Sequence, residues 1–141
     1  MAENSTSEIG KTLVEQILDT NVTVITQQMS VQEVVAFLKS KNASSGAVVD
    51  GMNRIASVMN ESDLLKIVMQ FGFDKKIAQC MDKLTPTDDL VTLTKSDPMI
   101  EAYKKFLTKT VDILYVVDGS GKVLGQVTKA MILEMLLKQK T

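Results

Sequence analysis

Apolar positions along this chain follow two alternating rhythms, a helical one and a short β-branched one, and the alternation runs through twice. Ile9, Leu13, Val14, Ile17 and Leu18 recur at i, i+4, i+5 and i+8, which predicts a leading helix over about residues 8–19. Thr23-Val24-Ile25 then reads as extended backbone. Ser30-Val31-Gln32-Glu33 has the form of a capping box, and Val31, Val34, Val35 and Leu38 form one stripe on the helix it opens. Ala47-Val48-Val49 reads as a buried strand, turned by Asp50-Gly51 into a second strand around Ile55–Met59. Asn60 caps a helix to about Phe71 with Leu64, Leu65, Ile67 and Val68 on its apolar side.

Gly72 to Pro86 reads as a connection with a short helix near Ile77–Met81, and its Lys-Leu-Thr-Pro-Thr-Asp tail is turn-rich. The order of elements then repeats. Val91-Thr92-Leu93 is the extended stretch, and Asp97-Pro98 is a helix start with Asp as N-cap and Pro at the first position. Tyr103, Phe106 and Leu107 continue the buried side of that helix. Ile113–Val117 and Val123–Val127 are strands joined by the turn Asp118-Gly119-Ser120-Gly121, and Thr128 caps the last helix. Met131–Leu137 is apolar almost all round, as is Leu64–Met69, which predicts burial on two sides or packing against another copy of the chain.

The tetrapeptide Val-Val-Asp-Gly marks the duplication. It occurs at Val48–Gly51 and at Val116–Gly119, 118 − 50 = 68 residues apart. Two copies of one supersecondary unit imply that neither buries its apolar face alone. The expected organisation is a first unit with the leading helix over residues 1–75 and a second over 76–141, folded as one body about a pseudo-two-fold axis.

Composition narrows the function. The 141 residues supply one core's worth of chain, and 45% hydrophobic with 23% charged residues is ordinary for a globular protein. A net charge of −1 offers no field for nucleic acid or anionic lipid. The single Cys80 and a polar start suggest a cytoplasmic protein, and no apolar run approaches membrane-helix length. The absence of His removes the commonest acid–base group and the usual zinc sites. No P-loop or Rossmann glycine pattern is present. These features argue against an enzyme and against a catalytic cofactor or metal.

The order strand, helix, strand, Val-Val-Asp-Gly turn, strand, [Thr/Asn]-x-x-Asp, helix resembles the cystathionine-β-synthase (CBS) domain, in tandem over about residues 9–138. That resemblance implies an α/β (α+β) fold of two related units, each a small three-stranded sheet with two helices on one side, together called a Bateman module. It also implies a stand-alone regulatory protein and homodimer that senses an adenosine-containing ligand (AMP, ADP, ATP or S-adenosylmethionine) and acts on an unknown partner protein. One cleft would take Thr92, Val111 and Asp112 from the second copy with Asn60 and Asp63 from the first. The other would take Thr23, Ala43 and Ser44 with Thr128, Lys129 and Met131.

The chemistry of those residue types fits. A carboxylate accepts both ribose hydroxyls, and helix-start amides attract phosphate. The chain departs from the family pattern at Ala47 and Tyr115, where the family has Pro, at Asn60 in place of Thr, and at Met131 in place of Asp. Met cannot accept a ribose hydroxyl, so the cleft with Asp63 is favoured. Asp63 serves either as that acceptor or simply as the acidic partner in a helix cap. Thr128 and Lys129 have plain readings too, as a cap and a solvated first-turn lysine. A docking or dimerisation module with degenerate, non-binding clefts is the alternative to a sensor.

Overall fold

The computed structural model describes residues 10–85 and 90–140, with side chains through Lys138. Packing divides the chain into a first unit, Val22–Leu90, and a second that joins the segment up to Asn21 to the chain from Val91 onward. The units are mixed α/β, and each contains one three-stranded sheet.

In the first unit β1 (Val24–Thr26) leads through α1 (Val31–Lys41) to β2 (Ser45–Val49), which turns back into β3 (Ile55–Asn60) and α2 (Glu61–Phe71). β1 and β2 are parallel, and β2 and β3 antiparallel. A parallel neighbour needs a crossover, and α1 supplies it. Ile25, Val48 and Met59 share a core cluster with Val31, Val34 and Leu38 of α1 and Leu64 and Ile67 of α2, so both helices cover one face of the sheet. Ala47 and Val49, on the opposite face, are buried as well. That is why β2 reads as an unbroken apolar run rather than an alternation.

The second unit repeats this plan with β4 (Thr92–Leu93), α3 (Met99–Thr108), β5 (Ile113–Val117), β6 (Val123–Thr128) and α4 (Lys129–Lys140). The duplication holds at the level of register. Val24 pairs with Ala47 and Thr92 with Tyr115, each partner displaced by 92 − 24 = 68. The register slip between Val48 and Val49 recurs between Val116 and Val117.

The connecting segments do not follow this order. The leading segment, expected with the first unit, packs in the second: Val14 lies in its core cluster and donates its amide to the Asp97 carbonyl at 2.8 Å. The corresponding place in the first unit is taken by the 3-10 turn Ile77–Lys83, where Ile77 donates to the Met29 carbonyl at 2.9 Å. Leu13 bridges Pro98 as Lys76 bridges Ser30, and both segments carry a Gln whose Oε1 takes the amide three residues back. Packing therefore pairs each segment with the repeat that does not follow it in the chain. Sequence order alone placed the boundary near residue 75.

Three local expectations also change. The leading helix over 8–19 does not run through: Gly10 and Lys11 are helical, Leu13 is bridged, and a 3-10 turn occupies Val14–Gln16. Val14 is buried in the core cluster with Ile17 and Leu18 packed against it, and Asp19 and Gln126 exchange two backbone hydrogen bonds of 2.9 Å. Gly125 permits that approach, because a Cβ there would stand 2.8 Å from the Asp19 carbonyl oxygen and 2.5 Å from Leu18 Cδ1. Pro98, not Asp97, is the N-cap of α3; the Asp97 carboxylate turns back to accept the Thr94 amide at 2.8 Å. The buried side of α3 is Met99, Ala102 and partly Phe106, while Tyr103 and Leu107 are exposed, as is Leu65 on α2. Of the Gly72–Pro86 connection, Pro86 lies outside the described residues.

Candidate functional site

The repeated Asp of Val-Val-Asp-Gly organises the hairpin turns. Asp50 Oδ1 accepts the amides of Met52 and Arg54 at 2.9 and 3.0 Å, and its Oδ2 takes Arg54 Nε at 2.9 Å. Asp118 Oδ1 accepts the Ser120 amide and hydroxyl at 2.9 and 2.7 Å and the Lys122 amide at 3.0 Å. Donors aimed at the ionised form lower both pKa values: the Arg54 amide contributes most at Asp50, and the Ser120 hydroxyl most at Asp118. These carboxylates are occupied by their own turns.

The helix starts differ. At α2, Asn60 Oδ1 accepts the Asp63 amide at 2.8 Å, and Asp63 Oδ2 accepts the Asn60 amide at 3.0 Å. This reciprocal box holds the Asp63 carboxylate at the first turn, partly exposed, with Oδ1 taking no hydrogen bond among the described residues. At α4, Thr128 Oγ1 accepts the Met131 amide at 3.2 Å, and a thioether stands where Asp63 stands in the first repeat. The N-cap reading of both positions therefore holds.

The remaining residues of the expected clefts flank the strands. In the first unit the Thr23 carbonyl accepts the Ala47 amide at 3.0 Å, Ala43 bonds back to the Leu38 carbonyl at 3.0 Å, and the Ser44 carbonyl accepts the Glu61 amide at 3.1 Å. In the second unit the Thr92 carbonyl takes Lys105 Nζ at 2.6 Å. Val111 is partly buried, Asp112 is exposed, and Lys129 Nζ lies 3.8 Å from Asp112 Oδ1 and 5.8 Å from the Phe106 ring centroid. So the structure brings Thr23, Ala43, Ser44, Asn60 and Asp63 into one unit, and Thr92, Val111, Asp112, Thr128 and Lys129 into the other. The Lys129–Asp112 pair was not foreseen, since it links residues assigned to different clefts. Their spacing of 68 from Glu61 and Ser44 was the available signal.

Tyr115 is 1% exposed, a core residue rather than a stacking surface. Cys80 is buried, and that burial raises its thiol pKa. Among the described residues no group of three or more Cys, Asp or Glu side chains is placed to hold a metal, and no helix is long and apolar enough to cross a membrane.

Known proteins share this plan. Protein MJ1004 of Methanocaldococcus jannaschii is 26% identical over 125 residues. Its crystal structure superposes with a TM-score of 0.79 at 25% identity, over 89% of this chain and 60% of that one. The chain thus spans about three-fifths of that relative's length. The CBS domain pair of protein MJ0100, in complex with 5'-methylthioadenosine and S-adenosyl-L-methionine, matches 92% of this chain and 98% of its own, with a TM-score of 0.73 and 22% identity. CBSX2 in complex with AMP matches over 92% and 99%, with a TM-score of 0.77 and 22% identity; a further CBSX2 structure identifies the source as Arabidopsis thaliana. At such identities these two likenesses speak for the fold. The CBS domain model itself matches residues 14–70 and 80–138, so the chain belongs to the CBS domain family and carries two copies of the domain.

Proposed function

We propose that this chain is a regulatory CBS pair that senses an adenine nucleotide or nucleoside, with Asn60 and Asp63 as the anchor for the sugar. The observation that carries the reading is the Asp63 carboxylate, fixed by its own capping box with one oxygen left over. A preorganised acceptor at a helix start meets a ribose diol without a further entropic cost of ordering. The bound AMP and S-adenosylmethionine of the two CBS-pair relatives support the ligand class. Thr92, Val111 and Asp112 would complete the favoured site, and Thr23, Ala43, Ser44, Thr128 and Lys129 the weaker one. Ligand binding regulates only if it favours one arrangement of the protein over another.

A dimerisation or docking role is the second reading, and Met131 favours it, because a thioether accepts no ribose hydroxyl. Leu65 and Met69 on α2 are 63% and 79% exposed, and Leu133 and Leu137 at the equivalent places on α4 are 65% and 66% exposed. Matching apolar faces on both repeats suit a second copy of the chain.

A melting screen with AMP, ADP, ATP and S-adenosylmethionine separates the two. A ligand at a hundred times its Kd adds about 2.7 kcal/mol, a rise on the order of 5–10 °C for a domain of this size. Flat curves for every compound, with sedimentation showing dimers, favour the docking role.

A further inference from the structure

The charges on the second unit's share of the favoured site do not cancel. Lys105 of α3 extends to β4, where its Nζ donates to the Thr92 carbonyl at 2.6 Å. The residue is half-buried, and among the described residues it makes no ion pair. Glu101, the one acidic residue of α3, lies 3.7 Å from Lys104 instead. A neutral carbonyl takes one of the three ammonium protons and none of the charge. Asp112, the acidic member of the same share, does have a counter-ion, with Lys129 Nζ 3.8 Å from its Oδ1. Thr92, Val111 and Asp112 thus come with two lysine contacts and one carboxylate.

The first repeat has no such cation. Phe37 holds the place of Lys105, since 105 − 68 = 37, and its ring packs against the core of that unit. Yet β1 pairs with β2 in the register in which β4 pairs with β5. The strand therefore needs no ammonium to hold its position. The charge belongs to one repeat and not to the duplicated scaffold.

We propose that Lys105 selects the ligand by charge, so that the site takes a nucleoside phosphate in preference to S-adenosylmethionine. The inference rests on the sensing role proposed above and narrows its ligand class. S-adenosylmethionine carries a sulfonium and an ammonium against one carboxylate, and its net positive charge is repelled by Lys105. A phosphate is anionic and accepts the ammonium's remaining protons, a charge-assisted contact. Partial burial lessens the solvent screening that weakens such a contact at fully exposed lysines.

Calorimetry on the full chain with AMP, adenosine and S-adenosylmethionine tests this, in the native protein, Lys105→Met and Lys105→Arg. The Met variant keeps the length of the stem without the charge, and the Arg variant keeps the charge. In the native chain AMP is expected to bind about tenfold more tightly than either other compound. Lys105→Met should bring AMP down to the level of adenosine and leave adenosine unchanged, while Lys105→Arg keeps the preference. Added salt should narrow the gap between AMP and adenosine. S-adenosylmethionine binding as tightly as AMP overturns the inference and leaves the sensing role standing, as does an AMP preference that survives in Lys105→Met. Equal weakening of AMP and adenosine in Lys105→Met, with a lower melting temperature, overturns it in favour of a purely structural lysine. Absence of binding by all three compounds to a folded native chain removes the sensing role and this inference with it.

Discussion

In the first repeat, α2 begins on Asn60 with the Asp63 carboxylate folded back onto the cap; in the second, α4 begins on Thr128 with Met131 in the place of Asp63. The strands that lead to these two points pair identically, down to the slip one residue before each turn. The turns use the same Asx arrangement around Asp50 and Asp118. Ser57 in the first repeat is buried and donates to the Thr85 carbonyl at 2.8 Å, where the second has Gly125 against Asp19. The contrast teaches that duplication fixed the scaffold, while the helix starts and the positions that touch a neighbouring segment diverged.

The largest effects test whether the two connecting segments are equivalent. Ile77 and Val14 are both fully buried at matching positions. Ile77→Ala should cost about 2–5 kcal/mol in chemical denaturation, and Val14→Ala less, in proportion to its smaller side chain. A negligible effect at Val14 breaks the equivalence.

Gly125→Ala comes next. The added Cβ meets a backbone carbonyl as well as Leu18, and overpacking of this kind costs about 1–3 kcal/mol. Ser57→Ala, at the matching position, should cost about 1 kcal/mol through the lost hydrogen bond to Thr85. Equal tolerance at both positions removes this difference between the repeats.

The caps sharpen the comparison further. Asn60→Ala removes the acceptor of a two-bond box and should cost about 1 kcal/mol, whereas Thr128→Ala removes one 3.2 Å bond and should cost less. Thermal melts of both variants give the order.

Acidification should act on both turns alike and gently. Asp50 and Asp118 have lowered pKa values in the folded chain, so their contribution is present above the ordinary aspartate range and fades as pH falls through the lower folded values. The stability gap between the native chain and D50N or D118N should therefore narrow below about pH 4. A gap that widens on acidification contradicts the turn assignment.

Much of this fold was legible in the residues. β-branched runs marked the strands, and Ser30-x-x-Glu33 and Asn60 marked two helix starts because their side chains answer local amides. What escaped depended on distant partners. Leu13, Val14 and Leu18 have helical spacing, but the edge of β6 draws the segment out of a helix near Asp19. Tyr103 and Leu107 look like core on an amphipathic pattern, yet Met99 and Ala102 hold the buried face. Of the candidate site, the sequence displayed the repeat itself: Ala43, Ser44 and Asn60 recur 68 residues on as Val111, Asp112 and Thr128, and Asp63 against Met131 marks the asymmetry. The Lys129–Asp112 pair left only its spacing of 68 from Glu61 and Ser44 as a signal, because the charges themselves differ between the repeats at these exposed positions.

Titration of AMP and S-adenosylmethionine into the native chain, Asp63→Ala and Met131→Asp by calorimetry tests the central proposal most directly. The expected result is saturable binding of at least one ligand, lost or weakened about tenfold or more in Asp63→Ala, with added affinity or a second site in Met131→Asp. Binding that is indifferent to Asp63, or no binding to a folded native chain, contradicts it.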